Sequence, residues 1–334
     1  MNILFVNKDN GAGVEFEGNL FIDILQRTIG IDNLDVYSSQ CRNVMGNFDF
    51  SVYDLIILND FNINDYSDFN DVEIPIININ FGGEGARSVN VDIVIDLNIA
   101  YTSYYETDMY NYYPLNFISG NIWKSLTNWN DRSNEILYVS RLNENKIVQR
   151  FLDYLRENNK VANFYGHISD QDYYEKNKDV INYKGFISHR ELLNIYNEYK
   201  LIYLSSTTEC LSMTLREAIL CGTVPVVFDD INYTKPIENY IFKHNGIIPN
   251  QEVLLEITEE IHDYTESNRH FLENYFSFDK MILDFVYCIR GLMLKDLKFD
   301  KNHRNNINYL HTKDNKSDYF VYDNDTIDWN NVLV

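Results

Sequence analysis

Basic residues are scarce in this sequence of 334 residues. The 28 Lys and Arg side chains are outnumbered by 50 Asp and Glu, which gives a formal net charge of −22, and no cluster of Lys or Arg offsets the excess. An acidic protein repels polyanions, because a phosphate backbone binds to clustered positive charge. The composition therefore argues against a stable nucleic-acid complex and is typical of a solvated acidic surface.

Cysteine motifs and long apolar runs are also missing. The four cysteines have neither metal-site nor redox spacing; they are Cys41, Cys210, Cys221 and Cys288. No apolar run approaches the roughly 20 residues of a membrane span. The sequence opens on a strand pattern at residues 2–6 without a basic leader. We therefore expect reduced thiols and a cytoplasmic location without a membrane anchor, in the host cytoplasm if the protein is viral.

What the sequence does contain is an alternation of short apolar runs with helical patterns. The runs typical of buried parallel strands lie at 34–37, 55–58, 74–79, 93–95, 136–139, 161–165, 181–184, 201–204 and 224–228. Such alternation predicts doubly wound α/β sheets, and the length allows two domains. We predict a first domain at 1–125, a second at 134–277, a helix with an apolar stripe at 278–298, and a polar tail at 299–334 that is irregular or only partly ordered.

Residues 205–227 form the most informative segment. Two apolar strands flank a helix that ends at a Gly222 turn, so the segment reads as a βαβ unit. The helix begins beyond the carboxyl end of the first strand, where its unpaired N–H groups can bind an anion. Glu209 in the loop and Glu217 two turns into the helix return to nearly the same face, so one carboxylate can reach a sugar and the other a ribose. The candidate diphosphate contacts are Leu211, Ser212, Met213 and Thr214.

This segment resembles the Glu, seven residues, Glu motif of retaining GT-B glycosyltransferases of the glycogen synthase and sucrose synthase type. Residues 182–192 and 136–146 resemble two further parts of that family. The resemblance implies two Rossmann-like domains whose parallel sheets face each other across a cleft, and a last helix, at 278–298, that returns to the first domain. It also implies that Glu209 contacts the donor sugar, Glu217 the ribose, and Arg141 with Lys146 the phosphates. Ser140 departs from the family, which usually has glycine there, and Arg216 is interpreted as a helix-surface or structural residue.

The acceptor side rests on glycine-rich loops in the first domain. A strand at 2–6 is followed by a turn with Gly11 and Gly13 and by a helix predicted at 16–29. The strand at 74–81 runs into Gly82, Gly83, Glu84, Gly85, Ala86 and Arg87. Glycines let a ligand approach the backbone, and loops of this kind in GT-B enzymes carry a residue near the acceptor hydroxyl. Glu84 is the predicted acceptor-side acid or base, with Gly83 and Arg87 beside it.

The sequence thus predicts a retaining, metal-independent transferase that uses a UDP-sugar and no further cofactor. Residues 221–226 and 11–14 also resemble phage DNA α-glucosyltransferases, so a hydroxymethylated pyrimidine in phage DNA is one predicted acceptor, beside glycans. A nucleotide-sugar epimerase and a sugar phosphorylase share the donor-side residues and stay open. A third alternative is an acidic binding protein without catalytic turnover.

Overall fold

Two parallel β-sheets form the centres of two units of the chain. The computed structural model describes residues 1–8, 13–39, 49–59, 72–80, 92–96, 111–114, 123–206, 212–228, 235–245, 251–275, 278–300, 302–305 and 307–311. The first unit comprises Met1–Phe117 and Ser277–Val334, and the second comprises Ile118–Phe276. Every strand pair within the two main sheets is parallel, which confirms the predicted α/β class.

Helices and strands alternate along most of the described chain. In chain order the first unit begins with β1 (Asn2–Lys8), α1 (Gly13–Gln26), β2 (Thr28–Ile29), β3 (Asn33–Ser39), β4 (Leu55–Asn59), β5 (Ile76–Asn80), β6 (Ile93–Asp96) and β7 (Asn111–Pro114). The second unit has β8 (Ser133–Val139), α2 (Gln149–Glu157), β9 (Ala162–Tyr165), α3 (Gln171–Asn177), β10 (Ile181–Gly185), α4 (His189–Glu198), β11 (Tyr199–Leu204), α5 (Met213–Leu220), β12 (Val224–Phe228), β13 (Phe242–His244), α6 (Gln251–Ser267) and α7 (Arg269–Tyr275). The chain then returns to the first unit with α8 (Phe278–Met293), β14 (Lys298–Phe299) and β15 (Ile307–His311).

The first sheet has the order β15-β3-β1-β4-β5-β6-β7, and apolar side chains cover both faces of its central strands. On one face Ile3 and Phe5 pack with α1 and α8, where the rings of Phe21 and Phe285 have centroids 4.6 Å apart. On the other face Leu4 and Val6 join a second apolar cluster. Burial on both sides explains why these strands read as continuous apolar runs.

Two segments of the first unit differ from the sequence prediction. The helix expected at 16–29 begins at Gly13 and ends at Gln26, and residues 28–29 pair instead with β14 in an antiparallel ribbon. Gly13, expected in the preceding turn, is therefore the first residue of α1. The tail, expected to be irregular, contributes β15, which pairs in parallel with the outer edge of β3.

The second sheet has the order β10-β9-β8-β11-β12-β13. Strands β11 and β12 pair in parallel, Leu201 opposite Val224, and α5 connects them. The predicted βαβ unit is thereby confirmed. Stacked aromatic rings fill the core beside β8 and β11, with Tyr138 between Phe151 and Phe164 at centroid distances of 5.1 and 5.9 Å. Parallel strands with a right-handed crossover bring their carboxyl ends to one edge, which is where the candidate site lies.

Candidate active site at the carboxyl edge of the second sheet

The loop after β8 carries two cations at this edge. Arg141 is exposed, and its guanidinium has no hydrogen bond or ion pair with another residue in the part of the chain that the structure describes. Lys146 lies in the following turn, where its N–H donates to the backbone and side-chain oxygens of Asn143 at 3.2 and 3.0 Å. The Leu142 N–H donates to the His167 carbonyl at 2.8 Å. Arg141 is thus held on an ordered loop with its charge available to a ligand.

Gly166, on the neighbouring loop, lies directly against the backbone of Ser140. Gly166 has φ +144°, and a Cβ built there would overlap the Ser140 carbonyl oxygen. The Ser140 N–H donates to the Tyr165 carbonyl at 3.2 Å, and the Gly166 N–H donates to the Gly185 carbonyl at 3.0 Å. Gly166 therefore lets its loop approach the backbone of Ser140, the residue before Arg141, more closely than a side chain would allow.

Two buried hydroxyls connect the loop that carries Arg141 and Lys146, called the cation loop below, to the end of β11. The Tyr138 hydroxyl donates to the Lys146 carbonyl at 2.6 Å, and its oxygen lies 2.7 Å from Ser205 Oγ. Ser205 follows β11 directly, and its Oγ accepts from the Val148 N–H at 3.2 Å. Sequence reasoning missed Tyr138 and Ser205, although polar groups at the ends of apolar strands are a signal. Their bonds fix Lys146 relative to the segment that leads to Glu209 and α5.

The N-terminus of α5 is capped by a predicted site residue. Ser212 is buried, and its Oγ accepts from the Leu215 N–H at 3.3 Å. Met213 and Thr214 form the first turn and are half-buried. The first-turn N–H groups of a helix attract anions, so the position of these residues suits the predicted diphosphate contact, which stays a prediction.

Glu217 lies in the interior of the second unit, with 3% of its surface exposed. Its Oε2 accepts a hydrogen bond from the Tyr196 hydroxyl at 3.1 Å. Burial raises the pKa of the Tyr196 phenol well above its usual range, and the charge of Glu217 raises it further. Tyr196 therefore stays protonated and donates its hydroxyl proton to the Glu217 side chain. The predicted ribose contact of Glu217 stays a prediction.

Arg216 corrects one part of the sequence interpretation. Only 2% of its surface is exposed, and its Nε donates to the Ser212 carbonyl at 3.4 Å. Of the two alternatives that the sequence leaves open, the burial of Arg216 excludes a position on the helix surface and supports a structural residue. All residues of α5 from Leu215 onward are buried. The guanidinium of Arg216 is therefore enclosed beside the first turn of the helix.

The C-terminus of α5 ends in a glycine turn, as the sequence predicts. Gly222 has φ +75°, and its N–H donates to the Ile219 carbonyl while the Thr223 N–H donates to the Ala218 carbonyl, both at 2.9 Å. This pair of bonds is a Schellman motif. The Gly222 carbonyl lies 2.8 Å from Nδ1 of His262, a buried side chain of α6 that stacks on Trp129.

Stability at mildly acidic pH is expected to depend on His262. Burial lowers its pKa, against the opposing effects of the Gly222 carbonyl and of Glu266; Arg132 lowers it further and Asp263 raises it. Because the folded pKa is depressed, its contribution is complete above the unfolded value of about 6.5 and is lost as the pH falls through the folded pKa. The free energy of unfolding should therefore fall more steeply in the wild type than in His262→Gln as the pH drops from about 6.5 to the folded pKa of His262, as measured by denaturant titration. As a control, His270→Gln changes an exposed histidine and should show the same dependence of unfolding free energy on pH as the wild type. If the wild type and His262→Gln show the same dependence, burial of His262 does not contribute to stability in this pH range.

Several predicted site residues lie outside the described part of the chain, so their roles stay predictions: Gly11, Gly83, Glu84, Arg87, Glu209 and Leu211. Within the described residues, no group of three or more His, Cys, Asp and Glu side chains could hold a metal ion. No helix in that part combines the length and apolar character needed to cross a membrane.

Comparisons with known proteins connect this geometry with a family. Residues 121–274 match the family described as "Glycosyl transferases group 1". A sequence search of curated proteins gives no match. Among solved structures, Anabaena Alr3699/HepE in complex with UDP-glucose is 16% identical, with a TM-score of 0.63 over 87% of this chain and 100% of that chain.

Two further structures give the same fold over similar lengths. Sucrose-phosphate synthase (tll1590) from Thermosynechococcus elongatus is 11% identical, with a TM-score of 0.67 over 88% of this chain and 100% of that chain. A glycosyltransferase from Rickettsia africae ESF-5 is 14% identical, with a TM-score of 0.64 over 88% and 99%. Such identities show likeness of fold. The chain therefore has the GT-B fold, and within it residues 121–274 match the glycosyl transferases group 1 family.

Proposed function

We propose that this chain transfers a sugar from a UDP-sugar to an acceptor hydroxyl, with retention at the anomeric carbon and without a metal ion. The observation that carries the proposal is that hydrogen bonds connect the cation loop to the end of β11, the strand that precedes α5. Tyr138 and Ser205 hold the Lys146 turn against the end of β11, and the chain runs from there to Glu209 and the N-terminus of α5.

Electrostatics make this arrangement suited to a diphosphate leaving group. Negative charge on the diphosphate grows as the bond to the sugar breaks, and fixed cations and N–H donors stabilise it at that moment. Arg141 and Lys146 supply the cations, and the first turn of α5 supplies the N–H groups. The guanidinium of Arg141 is exposed and has no hydrogen bond or ion pair with any residue that the structure describes, which supports this role.

The remaining roles follow the motif. Glu209 would orient the donor sugar and Glu217 the ribose. On the first unit, Glu84 would act as acid or base toward the acceptor, with Gly83, Arg87, Gly11 and Gly13 at the same ligand. Support for UDP as the nucleotide comes from the solved HepE complexes, which contain UDP and UDP-glucose.

The charge of the chain favours a glycan over DNA as the acceptor. A net charge of −22 opposes the approach of a polyanion at moderate salt. Residues 221–226 and 11–14 nevertheless resemble phage DNA α-glucosyltransferases. DNA that contains a hydroxymethylated pyrimidine is therefore tested as an acceptor as well.

Binding and product analysis test the proposal. UDP, UDP-glucose, GDP and ADP are titrated by calorimetry and thermal shift; a ligand at 100 times its Kd stabilises the folded state by about 2.7 kcal/mol. Transfer is then assayed on oligosaccharides, unmodified DNA and hydroxymethylated DNA, and the anomeric configuration of the product is read by NMR. We expect UDP binding and an α-linked product from an α-linked donor.

Three outcomes contradict parts of the proposal. A free epimer or a sugar phosphate as the product would replace transfer by epimerisation or phosphorolysis, and inversion would exclude the retaining mechanism. Glu209→Gln is expected to keep UDP binding and lose transfer. The protein is a binding protein without turnover if two results are found together. The wild type then binds UDP but transfers sugar to none of the acceptors, and Glu209→Gln leaves the biological effect of the protein unchanged.

A further inference from the structure

Three side chains form hydrogen bonds with three successive backbone carbonyls at the C-terminal end of α5, those of its last residue and of the two residues that follow it. Arg269 Nη1 donates to the Leu220 carbonyl at 2.8 Å, and Arg132 Nη2 donates to the Cys221 carbonyl at 2.8 Å. His262 Nδ1 lies 2.8 Å from the Gly222 carbonyl. Cations near a helix C-terminus are stabilised by the negative end of the helix dipole, so two guanidinium groups complement this end of the helix.

Arg132 is the central member of this set, with 4% of its surface exposed. Its guanidinium donates to five groups: the carbonyls of Thr127 and Cys221, the hydroxyls of Ser125 and Thr223, and Oδ1 of Asn197. None of these is a carboxylate. A buried charge is costly unless its hydrogen bonds are satisfied, and here backbone carbonyls and neutral side chains satisfy them.

The same contacts reach the residue that holds Glu217. Asn197 Oδ1 accepts from Arg132 and, at 2.6 Å, from the Leu126 N–H. The Thr223 hydroxyl donates to the Tyr196 carbonyl. Tyr196 in turn donates from its phenol to Glu217. Arg132 is therefore bonded on one side to the end of α5 and on the other, through Asn197 and Thr223, to the end of α4.

We propose that Arg132 and Arg269 are positioning residues that set the place of α5 along its own axis, and with it the affinity for the nucleoside diphosphate. This inference rests on the proposed function. The eight residues of α5 form a rod about 12 Å long, so a shift at the C-terminal carbonyls moves the N-terminal N–H groups by the same amount. Misplacement of a binding group by about 1 Å can lower rates about 100-fold.

The test compares Arg132→Gln with the wild type, using UDP as the probe well below the melting temperature. We expect UDP binding at least about tenfold weaker, which equals about 1.4 kcal/mol, with an increase in KM for the UDP-sugar and faster amide hydrogen exchange at residues 213–220. Arg156→Gln is the matched control. Arg156 lies on α2, is bonded to exposed Asp179 at 2.8 Å, and should leave UDP binding and exchange unchanged.

Two results would overturn the inference. One is an Arg132→Gln protein with a lower melting temperature but unchanged UDP affinity and KM, which assigns the residue a structural role only. The other is an equal loss of affinity in Arg156→Gln. If Arg132→Gln does not fold, Arg269→Gln, whose guanidinium is more exposed, decides the same question. If the wild type binds no nucleoside diphosphate, the proposed function fails, while the exchange rates of α5 still show whether the two arginines hold the helix.

Discussion

Replacing Arg141 with alanine is expected to lower kcat/KM for the nucleotide-sugar by roughly 10²- to 10³-fold, the usual loss for one donor to a developing oxyanion. The side chain is exposed and has no hydrogen bond or ion pair within the described residues. Its removal should therefore leave the melting temperature unchanged. Initial-rate kinetics with varied donor, together with calorimetric UDP titration, measure the effect.

Two further variants make the Arg141 result specific. Arg141→Lys keeps the charge but loses the bidentate geometry of the guanidinium, so its activity should lie between wild type and Arg141→Ala. Lys176→Ala removes an exposed cation from α3 and should have no effect. If Lys176→Ala and Arg141→Ala lower kcat/KM equally, the effect comes from general charge and Arg141 has no place in the donor site.

Replacing Gly166 with alanine is expected to destabilise the second unit by about 2–4 kcal/mol, since strained backbone and overpacking each cost about 1–3 kcal/mol. The new Cβ must overlap the Ser140 carbonyl at a residue with φ +144°. Relief of that overlap moves the loop that carries Arg141, so UDP affinity should fall as well. Thermal and denaturant unfolding measure the first effect, and calorimetry of the folded protein measures the second.

Gly185→Ala separates the two causes. Gly185 also has positive φ, +103°, but a Cβ there has no neighbour within 4 Å. It should show only the backbone strain, with a smaller loss of stability and unchanged UDP affinity. Equal effects of the two substitutions on both measurements would show that contact between Gly166 and Ser140 does not position Arg141.

The sequence predicts the parts of this protein that depend on local pattern. Apolar runs located most of the strands, although not β7 or β13, and the helix that ends at the Gly222 turn followed from the two apolar strands that flank it. Arg141 and Lys146 were assigned to the donor side from the family resemblance of residues 136–146, and the structure places both after β8, at the edge where parallel strands bring their carboxyl ends together.

Features that depend on distant contacts were not predictable from one sequence. Glu217 contacts Tyr196, which lies 21 positions earlier on α4, and the burial of Arg216 beside it has no signal in the local pattern, since a charged pair on a short helix reads locally as surface. Gly166 gives no sign of its contact with Ser140, which lies 26 positions earlier. The pairing of β15 with β3 joins segments more than 270 residues apart, and no periodicity in either one specifies the other.

The divided first unit has a consequence for the order of folding during synthesis. All strands and helices of the second unit lie in one continuous stretch, Ile118–Phe276, so the ribosome releases that unit complete. The first unit still lacks α8, whose Phe285 packs on Phe21, and β15, which covers the edge of β3. Domains fold as units while the chain emerges, and an open sheet edge with an uncovered apolar face is prone to aggregate. We therefore expect the first unit to complete its fold after the second, and to have the greater need of chaperones until α8 and β15 have been made.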